Sequence, residues 1–107
     1  MTIKITNKTD VTIVGLEGSL DTTTSPEVMD QLSSLLEEGR KNVIIDLAKL
    51  DYISSSGLRV LLAISKKLKP LNGTLKICGL NEVVNEVFEI SGFTMIFDIY
   101  KTLEEIA

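Results

Sequence analysis

Apolar residues recur along this chain with two different spacings, and the places where the spacing changes mark out its elements. Thr2-Ile3-Lys4-Ile5-Thr6 alternates with period two, the pattern of a half-buried strand. Asn7-Lys8-Thr9-Asp10 reads as a turn, and Val11 to Leu16 as a second strand, so the chain opens with a hairpin. A polar stretch follows, from Glu17-Gly18-Ser19-Leu20-Asp21 through Thr22-Thr23-Thr24-Ser25. The spacing then becomes helical: Val28, Met29, Leu32, Leu35 and Leu36 fall on one face. Ser25-Pro26 opens that helix with proline at its first position, and Gly39 closes it.

Asn42 to Leu47 is a short apolar run rich in β-branched residues, predicting a strand buried on both faces, as in a parallel sheet. A short loop leads from it to Ser54-Ser55-Ser56, where an amphipathic helix begins. That helix carries Leu58, Leu61, Leu62, Ile64 and Ser65, and stops near Pro70 and Asn72-Gly73. Thr74 to Cys78 predicts another strand. Asn81 is placed to cap a third helix with Val83, Val84, Val87, Phe88 and Ile90 inward, ended by Gly92. Phe97 to Tyr100 reads as a last strand, and Thr102-Leu103-Glu104-Glu105 matches the capping box of a short final helix. The order β-β-α-β-α-β-α-β-α predicts a single α/β domain over 1–107. Its sheet is mixed but mostly parallel, with an N-terminal hairpin and about four helices.

Composition narrows the function more than the fold. With 107 residues, 44% hydrophobic and 24% charged, the chain suits one core and one soluble domain. A net charge of −4 without any basic run argues against nucleic acid as a partner. No apolar stretch approaches the ~20 residues of a membrane span, and the N-terminus lacks the order of a signal peptide, so a cytoplasmic protein is expected. The single cysteine, Cys78, reads as a small buried hydrophobe. Histidine is absent, which removes the usual general base, zinc ligand and triad member together.

The polar residues concentrate in two clusters, Ser19 to Ser25 and Asp51 to Gly57, each after a strand and before a helix. In α/β sheets this is the end where ligands and partners meet the loops. Cap and turn chemistry alone accounts for Ser25 and Asn81, and less economically for Asp21 with three threonines and three serines. Serine catalysis lacks both a histidine and the G-x-S-x-G elbow, and the nearest lysines, Lys66 and Lys67, lie about three turns away. Neither G-x-G-x-x-G nor a Walker A sequence is present, and Asp21, Asp46 and Asp51 are too scattered to suggest a metal. A non-enzyme with no cofactor is the expectation. What the serine cluster does offer is hydroxyls at a helix start, where a phosphate is electrostatically tolerated.

Gly18-x-Leu20-Asp21, Ile45-Asp46-Leu47 and Tyr52-Ile53-Ser54-Ser55-Ser56-Gly57-Leu58-Arg59-Val60-Leu61-Leu62 together resemble the anti-sigma factor antagonists, single-domain members of the STAS group (sulfate transporter and anti-sigma antagonist). In that family the second helix starts at Asp-Ser-(Ser/Thr/Ala)-Gly-Leu, and the serine after the aspartate is phosphorylated by an anti-sigma factor kinase. Aligning Gly57-Leu58 places the acceptor at Ser55, with Ser54 in the aspartate's position as the rival acceptor and Ser56 as the following small residue. The resemblance implies that the unmodified protein binds the anti-sigma factor serine kinase, freeing a sigma factor, and that a PP2C-type phosphatase reverses the modification. Asp21 corresponds to a family aspartate near the acceptor, implied to orient its hydroxyl or touch the kinase. The implied partner surface comprises Asp21, Thr22, Thr23, Ser54, Ser56, Gly57, Leu58 and Arg59. Within it, Gly57 is expected to leave room for the partner, so that alanine there stabilises the domain slightly and weakens binding. The alternative within the same fold is a soluble STAS subunit of a membrane transport complex.

Overall fold

A computed structural model describes residues 1–106. Five strands form one sheet in sequence order: β1 (Thr2–Asn7), β2 (Thr12–Leu20), β3 (Asn42–Ile53), β4 (Thr74–Cys78) and β5 (Asp98–Tyr100). The first pair is antiparallel and the other three are parallel, as the alternation of strands and helices predicts. The crossovers are α1 (Ser25–Glu37), α2 (Ser55–Leu68) and α3 (Glu82–Ile90), and α4 (Leu103–Ile106) ends the described chain. Each crossover advances one strand in the same direction, so connections of the usual right hand stack α1, α2 and α3 on one face. Val14, Leu16, Val43, Ile45 and Leu47 point into that interface and are buried with Val28, Leu32, Leu61 and Ile64. On the other side Ile13, Ile44, Leu103 and Ile106 border a hollow of ≈ 570 Å³.

Three expectations need correction. Both central strands run longer than expected: β2 continues past Leu16 to Leu20 and β3 past Leu47 to Ile53, so Glu17 to Leu20 and the anticipated loop before the serines are strand. The outer half of β3 pairs with β2 through two register irregularities, one of them at Gly18, whose φ of +111° breaks the plain alternation. In α3, Val84 and Phe88 are buried, but Val83 and Ile90 are 53% and 80% exposed. The helix is short and only its Val84–Phe88 stripe meets β3 and the Phe93–Phe97 rings. α1 begins one residue early: Ser25 is its first helical residue and Pro26 its second. Asn81 caps α3 as expected, accepting from the Val84 N–H at 2.8 Å and donating to the Leu50 carbonyl at 2.9 Å.

The hairpin is tied to the rest by Arg40, in the loop before β3. Its Nε donates to the buried Thr12 Oγ1 at 2.6 Å, and a terminal nitrogen reaches the Val11 carbonyl at 2.8 Å and that of Lys8. Thr12 Oγ1 in turn donates to Asn7 Oδ1 at 3.0 Å. Hydrogen bonds to a charged group contribute more than neutral ones, so Arg40→Ala is expected to cost about 2 kcal/mol. The check is a thermal melt lowered by roughly 10 °C.

Candidate functional site

The two polar clusters meet at the carboxyl ends of β2 and β3, because those strands are parallel neighbours that finish side by side. Each cluster is built from its own backbone demands. After β2 the chain must turn sharply into α1, and Asp21 organises that turn. Its Oδ1 accepts from the N–H groups of Thr23 at 3.0 Å and Thr24 at 3.1 Å, the geometry of an Asx turn. The Thr24 hydroxyl accepts from the Asp21 N–H at 2.9 Å and donates to the Ser19 carbonyl at 2.7 Å. Buried Ser25 donates its hydroxyl to the Asp21 carbonyl. Asp21 therefore turns Oδ1 onto its own loop, and among the described residues its carboxylate makes no hydrogen bond to Ser55.

After β3 the chain passes straight into α2. Ser54 has an extended backbone and is the N-cap, its Oγ accepting from the Gly57 N–H at 3.4 Å. The Ser54 N–H donates to the Leu20 carbonyl at 2.9 Å, and the Leu58 N–H to the Ser54 carbonyl at 3.0 Å. Ser54 thus has both its backbone and its side chain engaged, and is half-buried. Ser55 opens the helix, is exposed, and its hydroxyl has no hydrogen-bond partner among the described residues. Half-buried Ser56 lies 3.1 Å, oxygen to oxygen, from the hydroxyl of exposed Thr22, the one side-chain hydrogen bond joining the two loops.

The implied partner surface is therefore only partly a surface. Thr22, Thr23, Ser55 and Arg59 are exposed, and Asp21, Ser54 and Ser56 are half-buried beside them. Gly57 and Leu58 are buried: Leu58 is 5% exposed and packs in the core. A Cβ on Gly57 would meet Leu20 Cγ at 2.7 Å, and Ile53 Cγ1 and the Leu20 carbonyl oxygen both at 2.8 Å. This glycine lets α2 approach the end of β2, and does not leave room for a partner. Sequence reasoning passed over Tyr52, 47% exposed and opposite Ser19 in the sheet. The sequence reads as a loop there, so it takes the extension of β3 and its irregularity to place the ring on the exposed side of the sheet.

Elsewhere the chemistry is quiet. The Cys78 thiol is pushed up to about 12, first by burial, then by the charge and hydrogen bonding of Asp46 and the charge of Glu104. It is buried, protonated and unreactive at neutral pH. Among the described residues no three His, Cys, Asp or Glu side chains cluster as metal ligands do, and no helix is long and apolar enough to cross a membrane.

Comparison with known proteins places this arrangement. The STAS domain profile matches residues 2–106, and the chain belongs to that family. BtrV of Bordetella bronchiseptica, assigned as an anti-sigma factor antagonist, is 40% identical over 95 residues, which is 89% of this chain and 82% of BtrV. The anti-sigma F factor antagonist of Paenibacillus polymyxa is 30% identical over 99 residues, covering 92% of this chain and 85% of the relative. In three dimensions the chain superposes with a TM-score of 0.92 on a Thermotoga maritima protein assigned as an anti-sigma factor antagonist. The two are 22% identical, with 97% of this chain and 90% of the other covered.

Proposed function

We propose that this chain is an anti-sigma factor antagonist controlled by phosphorylation of Ser55. In this reading the unmodified protein binds an anti-sigma factor with serine kinase activity, and so releases a sigma factor to direct transcription in the cytoplasm. The kinase supplies the nucleotide, the metal and the general base, and a PP2C-type phosphatase resets the switch. This chain contributes a hydroxyl and a surface, and no catalysis.

The observation that carries the reading is the contrast between neighbouring serines. Ser54 spends its hydroxyl on capping, Ser56 spends its hydroxyl on Thr22, and Ser55 alone is exposed with its hydroxyl free. Proximity to relatives that bear the name of anti-sigma factor antagonists supports this reading over the transport-subunit alternative. Phosphate adds about −1.5 to −2 charges at an exposed position, so the fold tolerates it. A partner docked over Ser55 does not. With a partner carboxylate ~6 Å away, the repulsion is on the order of 1 to 5 kcal/mol as the effective dielectric falls from ~80 to ~20. That corresponds to a loss of affinity from about fivefold to several thousandfold, enough for a switch.

Intact mass and site mapping of the protein recovered from its native host test the proposal. An addition of ~80 Da confined to the peptide containing Ser55 is expected. An unmodified protein under every growth condition in which the sigma factor changes activity would refute it.

A further inference from the structure

Arg59 stands one helical turn beyond Ser55 and has no ion-pair or side-chain hydrogen-bond partner among the described residues. Residues i and i+4 on a helix present neighbouring side chains, with Cβ atoms roughly 5–6 Å apart. Ser55 and Arg59 are both exposed, whereas the intervening Gly57 and Leu58 are buried, so the two share the outward face of the first turns. The sequence of α2, SSGLRVLLAISKKL, contains no acidic residue, which leaves the guanidinium without any carboxylate on its own helix. Across the described residues the only ion pair is Lys4 with Glu17, and Arg59 makes no side-chain hydrogen bond. Such a free cation, next to the one free hydroxyl of the serine cluster, is what a phosphoryl group would find on arrival.

We propose that phosphate on Ser55 captures the Arg59 guanidinium in an intrahelical i to i+4 pair. This inference rests on the reading of Ser55 as the acceptor and states how the modification works. Guanidinium and phosphate match as planar fork and tetrahedral anion, joined by charge-assisted hydrogen bonds. Modification therefore changes the docking face twice over. It installs a dianion and at the same stroke withdraws the one arginine that the unmodified face offers to an acidic partner. The neighbouring charges do not provide an alternative capture. Asp21 and Asp51 are acidic, Asp21 being committed to its own loop, and the Met1 end of β1 lies against Gly18 on the far side of β2. Lys66 and Lys67 sit in the last turn of α2.

The test uses the full chain with phosphoserine installed at position 55 during synthesis, followed by phosphorus NMR through the second ionisation of the phosphate, near pH ~6. Pairing with a fixed cation favours the dianion, so the wild-type midpoint is expected to lie below that of Arg59→Gln by about 0.3 pH unit or more. Arg59→Lys is expected to recover part of the gap, and ~1 M salt to narrow it. Identical midpoints in wild type and Arg59→Gln, with both proteins giving the same cooperative melt, would overturn the pair. A gap that Arg59→Lys widens or that salt leaves untouched would overturn it as well. Because the phosphate is installed and not enzymatic, the outcome is independent of whether the cell modifies Ser55, which the mass mapping decides.

Discussion

Gly57→Ala is expected to lower the melting temperature by roughly 8–16 °C, the opposite of what glycine in a helix ordinarily implies. In an open helix, alanine in place of glycine is worth up to ~1 kcal/mol of stabilisation. Here the added methyl has three atoms closer than 3 Å, and one is the backbone oxygen of Leu20, which cannot rotate away. Overpacking costs typically ~1–3 kcal/mol; three contacts under 3 Å put this site at the upper end, ~3 kcal/mol, and the ~1 kcal/mol helix gain leaves about 2 kcal/mol of net loss. A domain of this size shifts by ~4–8 °C per kcal/mol. The displaced atom also matters for function, since the same carbonyl accepts from the Ser54 N–H. Thermal melts of wild type and variant decide the point: an unchanged or higher transition would mean that α2 slides outward freely, and that Gly57 faces a partner after all.

The second large effect lies at Ser55. Ser55→Ala is expected to abolish phosphate incorporation by the cognate kinase while anti-sigma binding stays within about twofold, because the hydroxyl it removes has no hydrogen-bond partner among the described residues. Ser55→Asp is expected to weaken binding by about tenfold or more, less than phosphate does, since a carboxylate brings one charge and two acceptor oxygens. Ser54→Ala removes the cap, costing about 1 kcal/mol, and leaves the acceptor in place. Labelling the alanine variants with purified kinase separates the alternatives. Label that persists in Ser55→Ala and disappears in Ser54→Ala would shift the acceptor by one residue. Label unchanged in both would point to Ser56 and, should Ser56→Ala keep it too, to the Thr22 to Thr24 loop, of which Thr22 and Thr23 are exposed.

Much of the architecture was open to a reader of the sequence because it rests on periodicity. The helix stripe from Val28 to Leu35, the apolar strand run at Val43 to Leu47 and the Asn81 cap are each set by local residue pattern and appear where that pattern puts them, although the side of that strand bearing Asp46 is only partly covered. The failures share a cause: they depend on what a distant segment does. β3 extends to Ile53 because β2 is long enough to pair with it, which no residue within Ala48 to Ile53 announces. Ile90 satisfies the helical spacing of α3 yet finds no neighbour to cover it. At the site, the serine cluster and its association with the Asp21 loop were legible from residue type. The division of labour among three adjacent serines was not. It follows from the extended backbone of Ser54 between β3 and α2, and from the Leu20 carbonyl that Ser54 and Gly57 both approach.

That carbonyl has a kinetic consequence. It fastens the start of α2 to the end of β2, and the Thr22–Ser56 hydrogen bond fastens the adjoining loops. The proposed docking face is therefore held in shape before any partner arrives, so little ordering entropy would be lost on this side of the contact. In such a system the encounter rate is governed by diffusion and long-range charge, and the residence time by the contacts themselves. With Ser55 as the proposed acceptor, its phosphate would slow the encounter with an acidic partner through long-range charge and shorten the residence time through the contact itself, with neither component unfolded or rebuilt.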